Sequence, residues 1–317
     1  MKNKRSEHRS SSFASNLPAR TIWRLGSWIG FLISVVDVPH RRIVRRNLRF
    51  ANPGWTRQDI DRLTREIFQH IGITFLEIVQ MRFLACEDIL SRIRLTGEQY
   101  LHQALQQGRG LIIISAHLGN WEMGLQFASC YLNTRITGVA RNVRFAPLNR
   151  RVHRLRTRFG INVIHKKGAL PEMTQTLRRK EVLALLVDQS RRSEGVETLY
   201  FGRRVTTTPA VAMLALRCKS PVLPMFCIRE RNGGLRIEVE PALEIQRSGN
   251  LRADLLANTQ RVTDAVEQAV RQHPEQWFWV HKRWKKFYPD LYPEYQARRR
   301  RRKQRERRRA EPESFDS

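Results

Sequence analysis

A short apolar run that leads into a histidine constrains the fold of this chain most. It lies in the segment G-R-G-L-I-I-I-S-A-H-L-G-N-W-E-M-G at residues 108–124. Residues 111–114 are too few and too β-branched for a helix and predict a strand buried on both faces, whereas residues 121–131 are long enough for a helix. His117 therefore lies on a strand-to-helix turn. Open α/β sheets place their sites at that end of a strand.

The chain beyond this turn alternates between strand-like and helical stretches. Apolar runs predict strands at 136–139, 162–164, 182–187, 222–228 and 235–239. Helical patterns intervene at 147–159, 170–179, 210–219 and 251–272, and Thr56 with Asp59 predicts a capping box at the start of an earlier helix. The alternation predicts an α/β fold, a mainly parallel mixed sheet covered by helices on both faces. The turn R-E-R-N-G-G at 229–234 predicts an antiparallel hairpin at one edge of that sheet.

The N-terminal region carries one apolar stretch, residues 25–36, flanked by Arg24 and Asp37. It has about twelve apolar or small residues, and a spanning helix needs about twenty. A helix that lies in the membrane interface, with Trp28 and Phe31 at the headgroup boundary, fits this length better, and a core helix is the alternative. We therefore expect four parts: a disordered basic leader at 1–20, a membrane-associating helix at 21–46, a globular domain at 47–290 and a disordered polybasic tail at 291–317.

The formal net charge of +29 implies a polyanionic partner, which means nucleic acid, an anionic membrane surface or a phosphorylated substrate. Residues 298–309 hold ten basic residues against one acid, which leaves about +20 on the rest of the chain. The cysteines show no C-x-x-C spacing. We expect them to be reduced core residues of a cytosol-facing protein, with neither a disulfide nor a zinc site; they are Cys86, Cys130, Cys218 and Cys227.

Glu122 follows His117 by five residues. On one continuous helix such residues point apart, but a histidine at a strand's end and a glutamate in the next helix's first turn can meet. Glu122 could then accept the N–H of one imidazole nitrogen and leave the other nitrogen as a base, as carboxylates do for catalytic histidines in acyl transfer. The alternative is structural, with His117 capping the helix and Glu122 complementing its dipole.

The letters H-L-G-N-W-E after a buried strand resemble the H-x4-D/E block of glycerolipid and lipid A acyltransferases, and more narrowly the lipid A biosynthesis lauroyl/myristoyl acyltransferase family. The resemblance covers roughly residues 20–290 and leaves out the polybasic tail. It is carried further by R-L-T-G-E-Q-Y-L at 94–101, R-x-R-F-G at 156–160, V-D-Q at 187–189, Y-F-G at 200–202, T-T-P at 207–209 and H-P-E-Q-W-F-W-V-H-K-R-W-K at 273–285.

The resemblance implies an acyltransferase that moves a fatty acyl chain from acyl carrier protein to a hydroxyl of a phosphorylated glycolipid. The expected reaction is a late secondary acylation of the lipid A precursor at the cytoplasmic face of the inner membrane, with the acyltransferase domain at 47–290. Because the sequence lacks G-x-x-x-x-G-K-[ST], G-x-G-x-x-G and G-x-S-x-G motifs, we expect direct attack by the substrate hydroxyl, without an acyl-enzyme, a cofactor or a metal.

Two alternatives stay open. One is an acyltransferase for another lipid, such as a lysophospholipid or a glycosylated phosphoinositide. The other, from a different class, is a basic nucleic-acid-binding protein that uses the arginine-rich tail. Against the second, the body of the chain shows no helix-turn-helix, RNP-type or zinc-finger pattern, so we expect no specific nucleic-acid partner.

The expected catalytic residues are His117 as general base, Glu122 as its orienting carboxylate and Arg156 as a cation beside the tetrahedral oxyanion. Backbone N–H groups near Gly119 and Asn120 are the other expected oxyanion donors.

A second set of residues is expected to bind substrate. Asp188 and Gln189 end a second apolar strand, so they border the same crevice as His117 and could bond substrate hydroxyls or fix an arginine; a helix cap is the alternative for Asp188. Arg141 is the second choice for the oxyanion cation. With Glu275, which the resemblance implies, the expected substrate-binding set is Asn120, Arg141, Asp188, Gln189 and Glu275.

Overall fold

The computed structural model describes residues 18–132, 134–140, 146–166, 168–190 and 195–296 of the 317-residue chain. Its strands are β1 Ile93–Thr96, β2 Leu111–Ser115, β3 Ile136–Ala140, β4 Asn162–His165, β5 Val182–Leu186, β6 Val196–Tyr200, β7 Arg203–Thr207, β8 Val222–Arg229 and β9 Leu235–Val239. Seven of them form one sheet in the order β1-β9-β8-β2-β5-β3-β4. Neighbouring strands in it are parallel except β8 and β9. The predicted mainly parallel mixed sheet is confirmed.

The predicted hairpin of β8 and β9 is present, but it does not lie at the edge of the sheet. The two strands pair antiparallel, and β1 then pairs with β9 in parallel and forms the edge itself. The sequence did not predict β1, because four residues that alternate between apolar and polar give too short a pattern to separate from a loop.

The helices are α1 Ala19–Val36, α2 Val38–Ala51, α3 Arg57–Met81, α4 Cys86–Arg92, α5 Glu98–Gln106, α6 Trp121–Leu132, α7 Ala146–Thr157, α8 Leu170–Arg178, α9 Ala210–Cys218 and α10 Leu251–Gln272. Side chains of α4, α5 and α6 join Ile113 of β2 in one apolar core. Side chains of α3, α8, α9 and α10 join Ile112 and Ile114 in a second core. Both faces of the sheet are therefore covered, and β2 is buried on both of them, as predicted.

The predicted capping box begins α3. The Thr56 side chain accepts a hydrogen bond from the Asp59 backbone N–H, and the Asp59 carboxylate accepts one from the Thr56 backbone N–H. Such a box satisfies amide donors that have no acceptor within the helix. The helix then runs for 25 residues to Met81 and passes beneath the turn that carries His117.

The apolar N-terminal stretch is helical and belongs to α1, which meets α2 at a bend of 97°. Within the described residues no single helix is long and apolar enough to cross a membrane, and the bent pair of α1 and α2 passes that test on length and composition alone. Small residues join α1 to α3. A side chain at Gly26 or Gly30 would collide with the α3 backbone, at 2.4 Å from Ile73 Cα and 2.1 Å from Phe68 O respectively.

Two expectations about the chain are corrected. Cys86 and Cys130, expected to be reduced, form a disulfide, because α4 and α6 pack side by side and bring together cysteines that are 44 residues apart. The ordered chain also continues past the expected boundary at residue 290. Tyr292 is fully buried, and its hydroxyl donates to Asn47 Oδ1 of α2. The leader at 1–17 and the tail from 297 onward lie outside the described residues.

Candidate active site

The turn between β2 and α6 is held by backbone hydrogen bonds on both sides. The Gly119 N–H donates to Gln276 O at 3.1 Å, and the Asn120 N–H donates to Cys227 O at 2.9 Å. Gly119 has a φ of +57°, and a Cβ there would lie 2.0 Å from Cys227 O, so the close approach to β8 requires glycine. Asn120 caps α6 by accepting from the Met123 N–H at 3.0 Å.

His117 is held by Asp188, which lies just beyond the end of β5. His117 Nδ1 is 2.8 Å from Asp188 Oδ1, and the His117 backbone N–H donates to Asp188 Oδ2 at 3.0 Å. The Trp277 indole N–H donates to the same Oδ2 at 2.9 Å. Asp188 is only 4% exposed, so the charge-assisted bonds compensate a carboxylate that has almost no contact with water.

The expected contact between Glu122 and His117 is not formed. Glu122 instead binds the Arg156 guanidinium, whose Nε lies 3.1 and 3.0 Å from its two carboxylate oxygens and whose Nη2 also donates to it. Arg156 can reach Glu122 because Gln126 of α6 donates to the carbonyls of Leu155 and Arg156, which fixes the end of α7 against α6. Glu122 therefore orients the arginine, and Asp188 orients the histidine.

The protonation state of the pair follows from its surroundings. Burial acts to lower the pKa of His117, but the charge and hydrogen bond of Asp188 outweigh it, and the net pKa is raised. Burial acts to raise the pKa of Asp188, but the charge of His117 and the donated hydrogen bonds hold it well below its ordinary value. An ionised carboxylate only accepts hydrogen bonds, so the proton of neutral His117 lies on Nδ1 and its lone pair on Nε2.

A cavity of about 400 Å³ opens beside His117. On the sheet face that α6 covers, small side chains leave this space: Ser115, Gly138, Ala140 and Ala184. Leu125 of α6 lies opposite, 3.6 Å from where a Cβ of Gly138 would be. Most of the wall is apolar, and the charged or amide side chains in it include Glu122, Arg156, Lys166 and Gln189.

The structure brings some of the expected substrate-binding residues to the cavity and not others. Gln189 lines it, and its amide nitrogen is 3.2 Å from His117 Nε2. Asn120 is fully buried and donates to Glu77 instead of facing the cavity. Glu275 lies outside the cavity wall and accepts from its neighbour Gln276. Arg141 lies outside the described residues.

The expectation that the Gly119 and Asn120 N–H groups donate to the oxyanion is wrong, because both N–H groups already donate to carbonyls of neighbouring segments. The next amides of the turn belong to Trp121 and Glu122, in the first turn of α6. Amides at that position have no acceptor within their own helix. Amides in the first turn of a helix can donate to a bound anion.

The sequence predicts Asp188 at the crevice but does not predict its contact with His117. The contact follows from the strand register, which the sequence alone does not display: β2 and β5 pair in parallel with Ser115 opposite Leu186. His117 and Asp188 each follow that pair by two residues, so they leave the sheet at the same level. Trp277 also belongs to this site, because its indole N–H donates to Asp188 Oδ2 and fixes that carboxylate.

Fold and site together define an α/β enzyme with a histidine–aspartate pair beside an apolar cavity. A family model described as bacterial lipid A biosynthesis acyltransferase matches residues 13–286. The chain therefore belongs to that family and is an enzyme of the acyltransferase type.

Individual relatives agree with this assignment. The chain is 29% identical over 230 residues to a phosphatidylinositol mannoside acyltransferase of Mycobacterium tuberculosis, covering 70% of this chain and 67% of the relative. It is 24% identical over 278 residues to a lipid A biosynthesis acyltransferase of Haemophilus influenzae, covering 85% and 82% of the two chains. It is also 24% identical to the lipid A biosynthesis lauroyltransferase of Escherichia coli, covering 85% and 87%.

Proposed function

We propose that this enzyme transfers a fatty acyl chain from a carrier-bound thioester to a hydroxyl of an anionic glycolipid, with the lipid A precursor as acceptor in a late secondary acylation. The observation that carries the proposal is the His117–Asp188 pair, whose histidine lines an apolar cavity. A base that faces a hydroxyl and a cavity that suits a hydrocarbon chain are the two requirements of direct acyl transfer.

In this mechanism His117 Nε2 removes the proton of the acceptor hydroxyl as its oxygen attacks the thioester carbonyl. Asp188 keeps the Nε2 lone pair aimed at the acceptor and offsets the positive charge that develops on the imidazole. When the tetrahedral intermediate collapses, the C–S bond breaks and the imidazolium returns its proton to the leaving thiolate. The Gln189 amide, an N–H donor beside Nε2 and at an exposed position, marks where the acceptor O–H would bind.

Arg156 supplies positive charge near the reacting carbonyl. Its guanidinium lines the cavity and is held by the Glu122 carboxylate, so it is oriented before substrate binds. An oriented cation in a site partly shielded from water stabilises an oxyanion more than a mobile one would. The first-turn amides of Trp121 and Glu122 are the complementary donors.

The net charge of +29 supports the choice of partners. Acyl carrier protein is acidic and the lipid A precursor carries phosphates, so a basic enzyme attracts both. A second acceptor, a mannosylated phosphatidylinositol, is favoured by one specific observation, the 29% identity to a phosphatidylinositol mannoside acyltransferase. The chemistry at His117 is the same for either acceptor.

Mass spectrometry of lipids from the host, with and without the gene, tests the acceptor. We expect lipid A to lose the mass of one fatty acyl chain in the deletion strain and to regain it when the wild-type gene is restored, but not when His117→Ala is supplied. If lipid A is unchanged in the deletion strain but a phosphoinositide glycolipid lacks one acyl chain, the acceptor is the mannosylated phosphatidylinositol and not the lipid A precursor. No change in any lipid would contradict the proposed function.

We also propose that α1 binds the cytoplasmic face of the inner membrane. Its small residues face α3, so its large apolar residues face solvent; Trp23, Leu25, Trp28, Phe31, Leu32 and Val35 are all at least 40% exposed. Exposed Arg20 and Arg24 flank this surface and complement anionic headgroups. The disulfide removes cysteine chemistry as an argument for the cytosol, so the proposal rests on the apolar face and the charge.

Co-sedimentation with phosphatidylglycerol-containing vesicles tests this surface. We expect Trp28→Ser/Phe31→Ser to bind vesicles at least about tenfold more weakly, because two large side chains no longer enter the interface. Leu251→Ser is the matched control, since Leu251 at 63% is as exposed as Trp28 at 62% but lies on α10. Equal binding by all three proteins would refute the assignment of α1.

A further inference from the structure

A buried ion pair lies behind the turn that carries His117. Arg229 of β8 donates through Nε to Glu77 Oε1 of α3 at 2.8 Å and through Nη2 to the other carboxylate oxygen. Arg229 is 3% exposed and Glu77 is 6% exposed. Neither residue lines the cavity beside His117. The pair therefore takes no direct part in the proposed reaction, but it contacts the turn that carries His117.

The ion pair is connected directly to the turn. Glu77 Oε2 accepts a hydrogen bond from Asn120 Nδ2 at 2.9 Å, and the Asn120 side-chain oxygen caps α6. Arg229 Nη2 also donates to Thr74 Oγ1 at 3.0 Å, and that hydroxyl donates to Gly119 O at 3.2 Å. Two consecutive residues of the turn are thus tied to one carboxylate–guanidinium unit.

The third nitrogen of the guanidinium also has a partner. Arg229 Nη1 lies 2.7 Å from His70 Nδ1, and burial together with the charge of Arg229 lowers the pKa of His70 to about 3. His70 is therefore neutral and accepts the hydrogen bond. The Gln276 amide bonds both the N–H and the C=O of Arg229 at 2.9 Å, which joins the pair to the segment that also accepts from the Gly119 N–H.

A polar network of this kind is a poor way to gain stability, because desolvating two charges costs several kcal/mol and well-packed apolar residues often serve as well or better. It is a good way to fix a geometry, because each member has one arrangement that satisfies all donors and acceptors. What it fixes here is the position of the first turn of α6 relative to His117.

We propose that Glu77 and Arg229 are positioning residues for the transfer reaction, with Glu77 holding Asn120 and Arg229 holding Glu77. The proposal rests on the proposed function of His117 as the base. The pair sets the separation between His117 Nε2, where the acceptor hydroxyl loses its proton, and the α6 amides and Arg156, where the oxyanion forms. A displacement of about 1 Å between such groups can cost about 100-fold in rate.

Two double variants separate this role from a structural one. Glu77→Gln/Arg229→Met removes both charges but keeps an amide oxygen that can accept from Asn120. Glu77→Met/Arg229→Met removes both charges and that acceptor. Asn258→Ala is the matched control, because Asn258 is also a fully buried asparagine that both donates and accepts, and its partners are the Gln246 backbone and Arg261 instead of the turn.

Steady-state kinetics and hydrogen exchange of the peptide covering residues 116–124 are measured on each protein. We expect Glu77→Met/Arg229→Met to lose about 10- to 100-fold in kcat with little change in KM, and to exchange the Gly119 and Asn120 amides at least tenfold faster. Glu77→Gln/Arg229→Met should fall between this variant and wild type in both measurements, because Asn120 keeps an acceptor but Arg229 no longer holds that acceptor in place. Asn258→Ala should lower Tm but change neither kcat nor the amide exchange of residues 116–124.

Wild-type exchange and wild-type kcat in Glu77→Met/Arg229→Met would overturn the proposal, and so would equal losses in the two double variants. If that variant does not fold, Thr74→Val is judged by the same two measurements; it removes the hydrogen bond to Gly119 O and the one that Thr74 Oγ1 accepts from Arg229 Nη2, and it leaves the Glu77–Asn120 bond in place. A wild-type protein that transfers no acyl chain would refute the proposed function instead, and the exchange measurements would still decide whether the pair holds the turn.

Discussion

Replacing Asp188 by asparagine should inactivate the enzyme without unfolding it. Asp188 Oδ2 accepts from the His117 backbone N–H and the Trp277 indole N–H, and an amide oxygen in that place keeps both bonds. The amide NH₂ must then face His117 Nδ1. Because NH₂ only donates, the imidazole has to carry its proton on Nε2, and the base is lost. The same exchange in Ser-His-Asp enzymes costs about 10⁴-fold in kcat, and we expect about 10³- to 10⁴-fold here.

The pH dependence gives a second readout of the same variant. His117 must be neutral to act as a base, so kcat/KM of the wild type should fall as the pH drops through the raised pKa of His117. In Asp188→Asn the carboxylate charge is gone and the burial remains, so the pKa falls and the acidic limb should move to lower pH, on a much lower plateau. Kinetics between pH 5 and 9 with purified variants would measure both effects.

Comparing Glu122→Gln with Asp188→Asn shows which of the two carboxylates is the partner of His117. Glu122 does not touch His117 and raises its pKa only through charge. We expect Glu122→Gln to lower kcat because it releases Arg156, and to shift the acidic limb of the kcat/KM profile less than Asp188→Asn does. A larger shift for Glu122→Gln, or near-normal turnover for Asp188→Asn, would refute the assignment of Asp188 as the partner of His117.

Three further outcomes are expected. Gly119→Ala should destabilise the protein by about 3 kcal/mol or more, because its Cβ would lie 2.0 Å from Cys227 O at a φ of +57°; thermal unfolding measures this, and an unchanged Tm would contradict the close approach. Gly138→Val should shorten the longest acyl chain transferred, because the valine side chain fills the cavity opposite Leu125. Product masses from a mixture of acyl donors measure this, and an unchanged distribution of chain lengths would show that the acyl chain does not bind in that part of the cavity. Reducing Cys86–Cys130 should cost about 2–4 kcal/mol for a 44-residue separation; urea unfolding with and without dithiothreitol measures it, and equal midpoints would show that the bridge does not form.

The parts of the fold that local patterns determine could be predicted from the sequence. The run at 111–114 became β2 because consecutive β-branched residues fit a strand buried on both faces. The helix at 251–272 has the predicted bounds, because Asn250 caps its start with a hydrogen bond to the Ala253 N–H and Pro274 follows its end. Caps and prolines act over a few residues, so a single sequence displays them.

Contacts between distant segments could not be predicted in the same way. His117 and Asp188 are 71 residues apart, and their contact depends on β5 lying next to β2, which the order of strands along the chain does not fix. Glu122 was expected to orient His117 because a histidine at a strand's end and a glutamate in the next helix's first turn can meet, but that local geometry does not show which carboxylate the folded chain brings to the imidazole. The same limit applies to Cys86 and Cys130, whose contact depends on how α4 packs against α6.

The central claim is that His117 moves an acyl chain from a thioester to a glycolipid hydroxyl. The most direct test incubates purified protein with acyl carrier protein charged with one fatty acid and with the phosphorylated lipid A precursor, and reads the acceptor by mass spectrometry. We expect a mass increase of one fatty acyl chain with wild type and at least about 10²-fold slower formation of that product with folded His117→Ala. An acceptor of unchanged mass with wild type, or equal rates for the two proteins, would contradict it.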